Sequence, residues 1–182
     1  GYTSANGAST GLTLGGLPGA QYRSGGSYGG LGAVVDGGTL TNPIYGHPAN
    51  PIYLGSGGSA GNYSASGGNG GGRLTITADT IRLDGALYAN GTTGAGYHAG
   101  SGSGGSILIE TSRLEGTGII TANGGAHEVS GGGGRIAVTY VTLGGPGDDL
   151  NGLANITAYG GSNRSAGTVL VKQASQPYGD LY

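Results

Sequence analysis

One pattern recurs along this chain: a glycine-rich run, followed by a short stretch in which apolar residues recur at every second position. The stretch begins at Arg73, Ser106, Arg135 and Thr168, so successive starts lie 33, 29 and 33 residues apart. A period of two is the signature of a β-strand. A second short strand ends each of the first three repeats, at residues 87–91, 120–124 and 156–160. Because no helical pattern separates them, equivalent strands are predicted to pair from repeat to repeat.

Glycine makes up 47 of the 182 residues, and this abundance decides between helix, coil and strand. Each glycine inside a helix costs about 1 kcal/mol relative to alanine, so a helical fold is disfavoured. A collagen-like rod is excluded because there is no Gly-X-Y period and only six prolines. We therefore expect an all-β fold: a parallel β-helix (β-solenoid) with coils of about 29–36 residues and glycine-rich corners and loops.

The expected organisation is a single β-solenoid domain over residues 1–182. Residues 73–182 supply the regular coils, and residues 8–72 form an irregular part rich in glycine and proline. Within that part, residues 41–54 carry two near-copies of Asn-Pro-Ile-Tyr and are interpreted as an extended excursion on the outside of the stack, or as a binding arm. The glycine-rich runs are compatible with polyproline-II-like strands, a conformation that glycine adopts readily.

Several classes of partner are excluded by composition. The chain has no cysteine, and its net charge is −2 with only seven Lys and Arg. Disulfide frameworks, thiol chemistry and cysteine zinc sites are therefore ruled out. Nucleic acid is not an expected partner because there is no basic footprint. Membrane insertion is not expected either, because no apolar run approaches the roughly 18 residues of a membrane helix.

The motifs GGSxxI, LxGxGxIxANGG, GGGGRIAV, AGTVLVK and SQxYGDL carry a resemblance to a known class of sequence. Over about residues 24–182 the chain resembles glycine-rich segments of very large secreted or cell-surface proteins of bacteria and some archaea. The resemblance implies a parallel β-helix and an extracellular or cell-surface setting with a structural or adhesive role. It implies no catalytic residues.

The ends of the chain suggest how it assembles. The sequence starts within the tail of one repeat, at residues 3–7, and stops partway through another, at residues 168–182. An uncovered sheet end exposes unpaired main-chain groups, and a head-to-tail contact that does not close produces a filament. The expected function is that of an extracellular structural protein, a subunit or segment of a β-solenoid filament or surface fibre. Its partner is itself, head-to-tail through the open solenoid ends.

Three alternatives remain open at this point. The chain is a fragment of a large cell-surface adhesin stalk, a carbohydrate-binding or carbohydrate-cleaving β-helix, or a phage receptor-binding tip built from polyglycine layers. The second alternative takes a surface polysaccharide as partner, and its cleaving form requires two suitably spaced carboxylates. Asp84 and Glu115 follow the same Arg-Leu pair in successive repeats and are the candidates for such a pair. Solvated corner residues are the simpler interpretation, so we do not expect an enzyme.

No cofactor is expected, with calcium as the one ion to consider. The segment Gly-Gly-Pro-Gly-Asp148-Asp149-Leu is similar to the calcium-binding pattern GGxGxD, in which carboxylates and turn carbonyls supply oxygen ligands. That pattern works as a tandem array, and here it occurs once. A plain acidic turn is the alternative interpretation of Asp148 and Asp149.

Two further residue types suggest surface roles. Asn-X-Ser/Thr triplets, the acceptor pattern for glycosylation, occur at Asn62, Asn90, Asn155 and Asn163. Tyrosine is the only aromatic residue, and its apolar ring with a polar tip suits half-wet contacts. The candidates for subunit contact or adhesion are Tyr45, Tyr53, Tyr88 and Tyr97. In the Ala-Asn-Gly tails, Asn6, Asn90 and Asn123 are candidates for a side-chain ladder that Tyr159 interrupts.

Overall fold

The computed structural model describes residues 1–4, 10–63, 65–145, 155–163 and 165–182. Two single turns of 3-10 helix lie at Leu14–Gly16 and Gly161–Asn163. All other regular elements of the described residues are strands. They are β1 (Thr10–Leu12), β2 (Pro18–Gln21), β3 (Arg73–Arg82), β4 (Ala86–Tyr88), β5 (Ser106–Glu115), β6 (Ile119–Thr121), β7 (Arg135–Leu143), β8 (Ile156–Thr157), β9 (Thr168–Gln173) and β10 (Asp180–Leu181).

The largest sheet has five strands in the order β10-β9-β7-β5-β3. Strands β3, β5, β7 and β9 are parallel and begin at the four residues where the sequence pattern predicted a strand. Their register aligns the apolar positions of successive repeats. One row contains Leu74, Ile107, Ile136 and Val169, and a second contains Ile76, Ile109, Val138 and Val171. β10 is antiparallel and lies on the side of β9 that faces away from β7.

A second parallel sheet has the order β4-β6-β8. Residues 83–85 join β3 to β4 and residues 116–118 join β5 to β6, so each of these repeats contributes one strand to each sheet. The two sheets bury their apolar rows in one cluster, which includes Ile107, Ile109, Ile120, Ile136 and Val138, each at most 1% exposed. Full burial of such a side chain contributes about 1.5–3 kcal/mol.

Much of the remaining interior is a bundle of extended glycine-rich segments outside the strands and helices. We call it the glycine bundle: residues 24–33, 55–60, 66–71, 100–105 and 130–134, most of which are buried. The segment 100–105 is buried throughout and shows how the bundle is held together. Its amides donate in turn to three different neighbours and repeat after three residues, the helical period of polyproline II.

These main-chain bonds run in three directions. Gly100 and Ser103 donate to Ser59 and Ser56, at 2.9 Å each. Ser101 and Gly104 donate to Val129 and Gly132, at 2.7 and 3.0 Å, and Gly102 and Gly105 donate to Thr92 and Ala89, at 3.0 and 2.7 Å. Carbonyls of the same segment accept from Gly26, Gly68, Gly71 and Gly125. Buried main-chain groups are thus satisfied without a sheet.

The prediction of a parallel β-helix running through residues 1–182 is wrong. The described residues form separate sheets of two, five and three strands, and both the β1–β2 and the β9–β10 pairs are antiparallel. No strand occurs in the described part of residues 22–72. The physical reason is that glycine-rich segments have no side chains to stack in rows. They pack instead by main-chain bonds in several directions, as the glycine bundle shows.

Candidate functional site

Strands β3 and β4 form one exposed border of the two parallel sheets, which we call the front edge. Among the described strands, β3 pairs only with β5 and β4 only with β6, so no described strand pairs with the outer side of either one. The apolar residues here are only partly buried. Leu74, Ile76 and Leu87 keep some exposure, whereas Ile107, Ile109 and Ile120 in the adjacent strands are 0% exposed. The front edge therefore combines a strand side that no other described strand occupies with partly exposed apolar residues.

The opposite border, the back edge, consists of β8 and β9. β8 pairs only with β6 among the described strands, while β10 covers part of β9. The β10 pairing aligns Asp180 with Val171 and Leu181 with Leu170, and the main chains of Val169 and Tyr182 exchange bonds of 3.0 and 2.9 Å. A groove of about 240 Å³ opens at this edge. It is lined by Ile156, Ala158, Tyr159, Gly167, Val169 and Tyr182, together with Thr157 and Ala166.

Two of the four candidate contact tyrosines are structural. The ring centroid of Tyr45 lies 4.7 Å from that of Tyr28 and 6.0 Å from that of Tyr53. The Tyr45 hydroxyl donates to the Leu54 carbonyl at 2.6 Å. Burial raises the pKa of Tyr45 to about 12. Tyr45 and Tyr53 are thus partly buried and pack into an aromatic cluster, whereas other residues of the 41–54 segment, such as Ile44 at 52%, are exposed.

Arg135 packs against the cluster formed by Tyr28, Tyr45 and Tyr53. It is 5% exposed, its Nε donates to the Tyr45 carbonyl at 3.0 Å, and its guanidinium lies 5.5 Å from the Tyr28 ring centroid. Desolvation lowers the pKa of Arg135. The neighbours that compensate its burial are carbonyl, hydroxyl and ring groups, including the Thr168 hydroxyl at 3.1 Å. The cluster fastens the 41–54 segment to the start of β7.

The other two candidate tyrosines are exposed. Tyr88 on β4 is 62% exposed and belongs to the front edge, and Tyr97 is 59% exposed and contacts the His98 ring in a tilted arrangement with centroids 3.8 Å apart. The structure does not bring the four candidates together. Of the four, only Tyr88 lies on a border strand, β4, whose outer side pairs with no other described strand.

The asparagine residues of the tails form part of the predicted ladder. Asn90 Oδ1 accepts from the Thr121 hydroxyl at 2.8 Å and from the Asn123 amide at 2.7 Å. Asn123 Oδ1 accepts in the same way from Thr157 at 3.1 Å and from the amide of Tyr159 at 2.7 Å. The ladder ends at Tyr159, which has no side-chain amide. Asn6 lies outside the described residues.

The glycosylation candidates have different surroundings. Asn90 is exposed, whereas Asn62 and Asn155 are partly buried. Asn62 Oδ1 accepts a hydrogen bond from the Tyr22 hydroxyl and another from Arg23 Nη2, at 2.9 Å. Asn163 belongs to the second 3-10 turn. Asn90 is therefore the most accessible of the three whose side chains are described, although its Oδ1 is already engaged.

The predicted equivalence of Asp84 and Glu115 is wrong. The register pairs Arg82 with Glu115, two residues away from that alignment, because the rows at the start of β3 and β5 set the pairing. Arg82 Nε lies 2.7 Å from Asp84 Oδ2, and Arg113 Nε lies 2.8 Å from Glu115 Oε2. The hydrogen bond from Arg82 lowers the pKa of Asp84. A glycosidase acid requires a raised pKa, so Asp84 is poorly suited to that role.

The calcium candidates Asp148 and Asp149 lie outside the described residues. Across the described part of the chain, no group of three or more His, Asp or Glu side chains is placed to hold a metal ion. A helix long and apolar enough to cross a membrane is likewise not found in the described residues. No family model, no curated protein and no solved structure matches the chain.

Sequence reasoning missed β10. The sequence pattern predicts that residues 168–182 start another repeat, but β10 folds back on β9. A signal was present, because Ser175, Gln176, Pro177 and Gly179 separate the two apolar stretches in a manner typical of a hairpin loop.

Proposed function

We propose that this chain is a structural protein that assembles head-to-tail with copies of itself into an extracellular fibre. The observation that carries the proposal is the front edge, where the border strands of both parallel sheets, β3 and β4, have an outer side that pairs with no described strand and lies beside partly buried apolar residues. Proteins usually protect such edges with charges, prolines or covering segments, because an open edge is a template for another chain.

The side chains of the front edge support this proposal. The first six residues of β3, Arg-Leu-Thr-Ile-Thr-Ala, contain no proline and one charge, at Arg73. Threonine and isoleucine are β-branched, and β-branched residues favour strand pairing. This first part of β3 therefore has few of the features that prevent edge-to-edge association, whereas the charges of Asp79 and Arg82 lie in its second part.

The proposed extracellular location is supported by composition and by resemblance. The chain lacks Cys, Met and Trp, and cysteine and methionine are sites of oxidative damage. Its motifs resemble glycine-rich segments of secreted and cell-surface proteins. Both features suit a long-lived material outside the cell.

Electron microscopy of the purified protein over a range of concentrations tests the proposal. We expect fibres whose length grows with protein concentration, and diffraction or averaged images with a strand spacing of about 4.8 Å. Dispersed monomers at every concentration would refute self-assembly.

Mass spectrometry of the native protein separates a subunit from a stalk. A mature chain near 17.4 kDa supports a fibre built from separate subunits. A much larger chain supports the alternative, in which this sequence is one segment of an adhesin stalk and the edges meet within one polypeptide.

A further inference from the structure

We infer that the fibre grows by parallel pairing of β3 of one copy with β9 of the next, after β10 leaves the β9 edge. This inference rests on the proposed function and specifies its contact surfaces and the element that controls them. The partner is a second copy of this chain. The register is the one already used inside the sheet, with Thr168 opposite the next copy's Arg73.

Charge along the sheet favours this register. Charged and hydroxyl residues alternate from strand to strand within two rows. The first row is Arg73, Ser106, Arg135 and Thr168, and the second is Thr77, Glu110, Thr139 and Lys172. Placing the next copy's β3 on β9 sets Arg73 beside Thr168 and Thr77 beside Lys172. Both rows then continue without like charges side by side, which would be destabilising.

Apolar burial favours the same pairing. Leu74 and Ile76, partly buried on the front edge, come to lie beside Val169 and Val171 of the neighbouring copy, which already belong to the core. In the smaller sheet, Leu87 of β4 comes to lie beside Ile156 of β8, in the 240 Å³ groove of the back edge. Both sheets are extended by one contact, because β3 and β4 belong to the same repeat.

β10 is the element that blocks this contact. It occupies the outer side of β9 with a two-residue strand whose residues are both exposed, whereas β7 pairs with β9 over six positions. Tyr182, beyond β10, also lines the groove that would receive Leu87. Replacement of β10 by a full-length parallel strand exchanges a short pairing for a longer one. Release of β10 opens both halves of the back edge together.

A reversible disulfide tests whether β10 must move. The Val169–Tyr182 pair exchanges both main-chain bonds, so the neighbouring pair Leu170 and Leu181 is the closely spaced, non-hydrogen-bonded kind. Such a pair suits a disulfide, and the chain has no cysteine of its own. In the double variant Leu170→Cys/Leu181→Cys, we expect oxidised protein to form fibres at least about tenfold more slowly than the same protein after reduction. The parent chain and the single variant Leu170→Cys, given the same oxidant and reductant, are the controls.

The outcomes separate this inference from the proposed function. Equal fibre formation by the oxidised and reduced double variant would overturn the role of β10 while leaving self-assembly intact. Fibres that form only after reduction support the inference. No fibres from the parent chain would overturn both.

Cross-linking between copies tests the register independently. Copies carrying Thr77→Cys are mixed with copies carrying Lys172→Cys and treated with a short bis-maleimide. We expect mixed dimers in a higher yield than when Thr77→Cys copies are mixed with Tyr63→Cys copies, since Tyr63 is 91% exposed on a loop. Equal yields from the two mixtures would overturn the β3–β9 contact.

Discussion

Gly104 has no side chain, and this allows the backbone at Ala122 and Gly134 to lie directly against it. A Cβ atom built on Gly104 would lie 1.9 Å from the Ala122 carbonyl oxygen and 2.6 Å from the Gly134 nitrogen. Both atoms belong to backbone, which has no room to move aside within a buried bundle. Glycine is required here because the neighbouring backbone segments lie so close. Conformational freedom is not the reason, since the φ of Gly104 is not in the left-handed range.

We therefore predict that Gly104→Ala lowers the free energy of unfolding by about 3 kcal/mol or more, at the upper end of the cost of overpacking. The control is Gly85→Ala, at an exposed position where the added Cβ meets nothing within 4 Å. Urea unfolding of both variants measures the difference. Equal losses would show that the close approach at Gly104 does not constrain the fold.

Tyr45 gives the stability a dependence on alkaline pH. Burial raises its pKa in the folded state to about 12, above its ordinary value of 10.0. The stabilising contribution of the neutral phenol is present below pH 10 and is lost as the pH rises from 10 to 12. We predict that the free energy of unfolding falls over this interval and falls less steeply in Tyr45→Phe. Parallel pH profiles for parent and variant would contradict this assignment.

At the scale of elements, the sequence predicted the parallel pairing between repeats and missed the register at the strand ends and the β9–β10 hairpin. The starts of β3, β5, β7 and β9 followed from the apolar period alone, because each row buries one face of a strand. The alignment of Asp84 with Glu115 failed because the motif was matched at the strand ends. The register is fixed instead by the buried rows at the strand starts, where Leu74 lies beside Ile107. β10 was missed because a two-residue strand has no periodicity to recognise.

The outward main-chain groups of β3 can be blocked selectively. The Ser106 amide donates to the Gly72 carbonyl at 2.9 Å, and main-chain groups of successive strand residues point to opposite sides. Thr75 therefore points its amide away from β5. We predict that Thr75→Pro, which removes this outward donor, slows fibre formation by about tenfold or more while the monomer stays folded. Light scattering measures fibre growth, and thermal melting checks the monomer.

Thr75→Ala is the matched control for this variant, since it removes the same side chain but keeps the amide. It should form fibres at close to the parent rate. Fibre growth of Thr75→Pro at the parent rate would show that the β3 edge is not a contact surface.

For the whole molecule, the glycine bundle is the part that sequence could not specify. Its bonds join residues far apart in the chain, such as Gly26 to Ser101 and Gly104 to Gly132. Side-chain periodicity, the basis of pattern recognition, is absent where there are no side chains. Composition showed that polyproline-II-like segments were compatible with the chain. It could not show which segments lie side by side.

Hydrogen exchange and circular dichroism should give different pictures of the glycine bundle. We predict that amides of Gly102 and Gly104 exchange with solvent as slowly as those of the parallel sheet, because they are buried and bonded. Far-ultraviolet circular dichroism should nevertheless show less strand than hydrogen exchange implies, since these segments are not in sheets. Rapid exchange at these glycines would contradict the bundle.

The three directions of bonding around residues 100–105 have a mechanical consequence. A stack of sheets is strong along its hydrogen bonds and weak between its faces, so it has a plane along which it splits. The segment 100–105 is bonded to residues 56–59, 89–92 and 129–132 on different sides. Any surface drawn lengthwise through this segment must cross main-chain hydrogen bonds. Under load, this region has no lengthwise plane of easy cleavage.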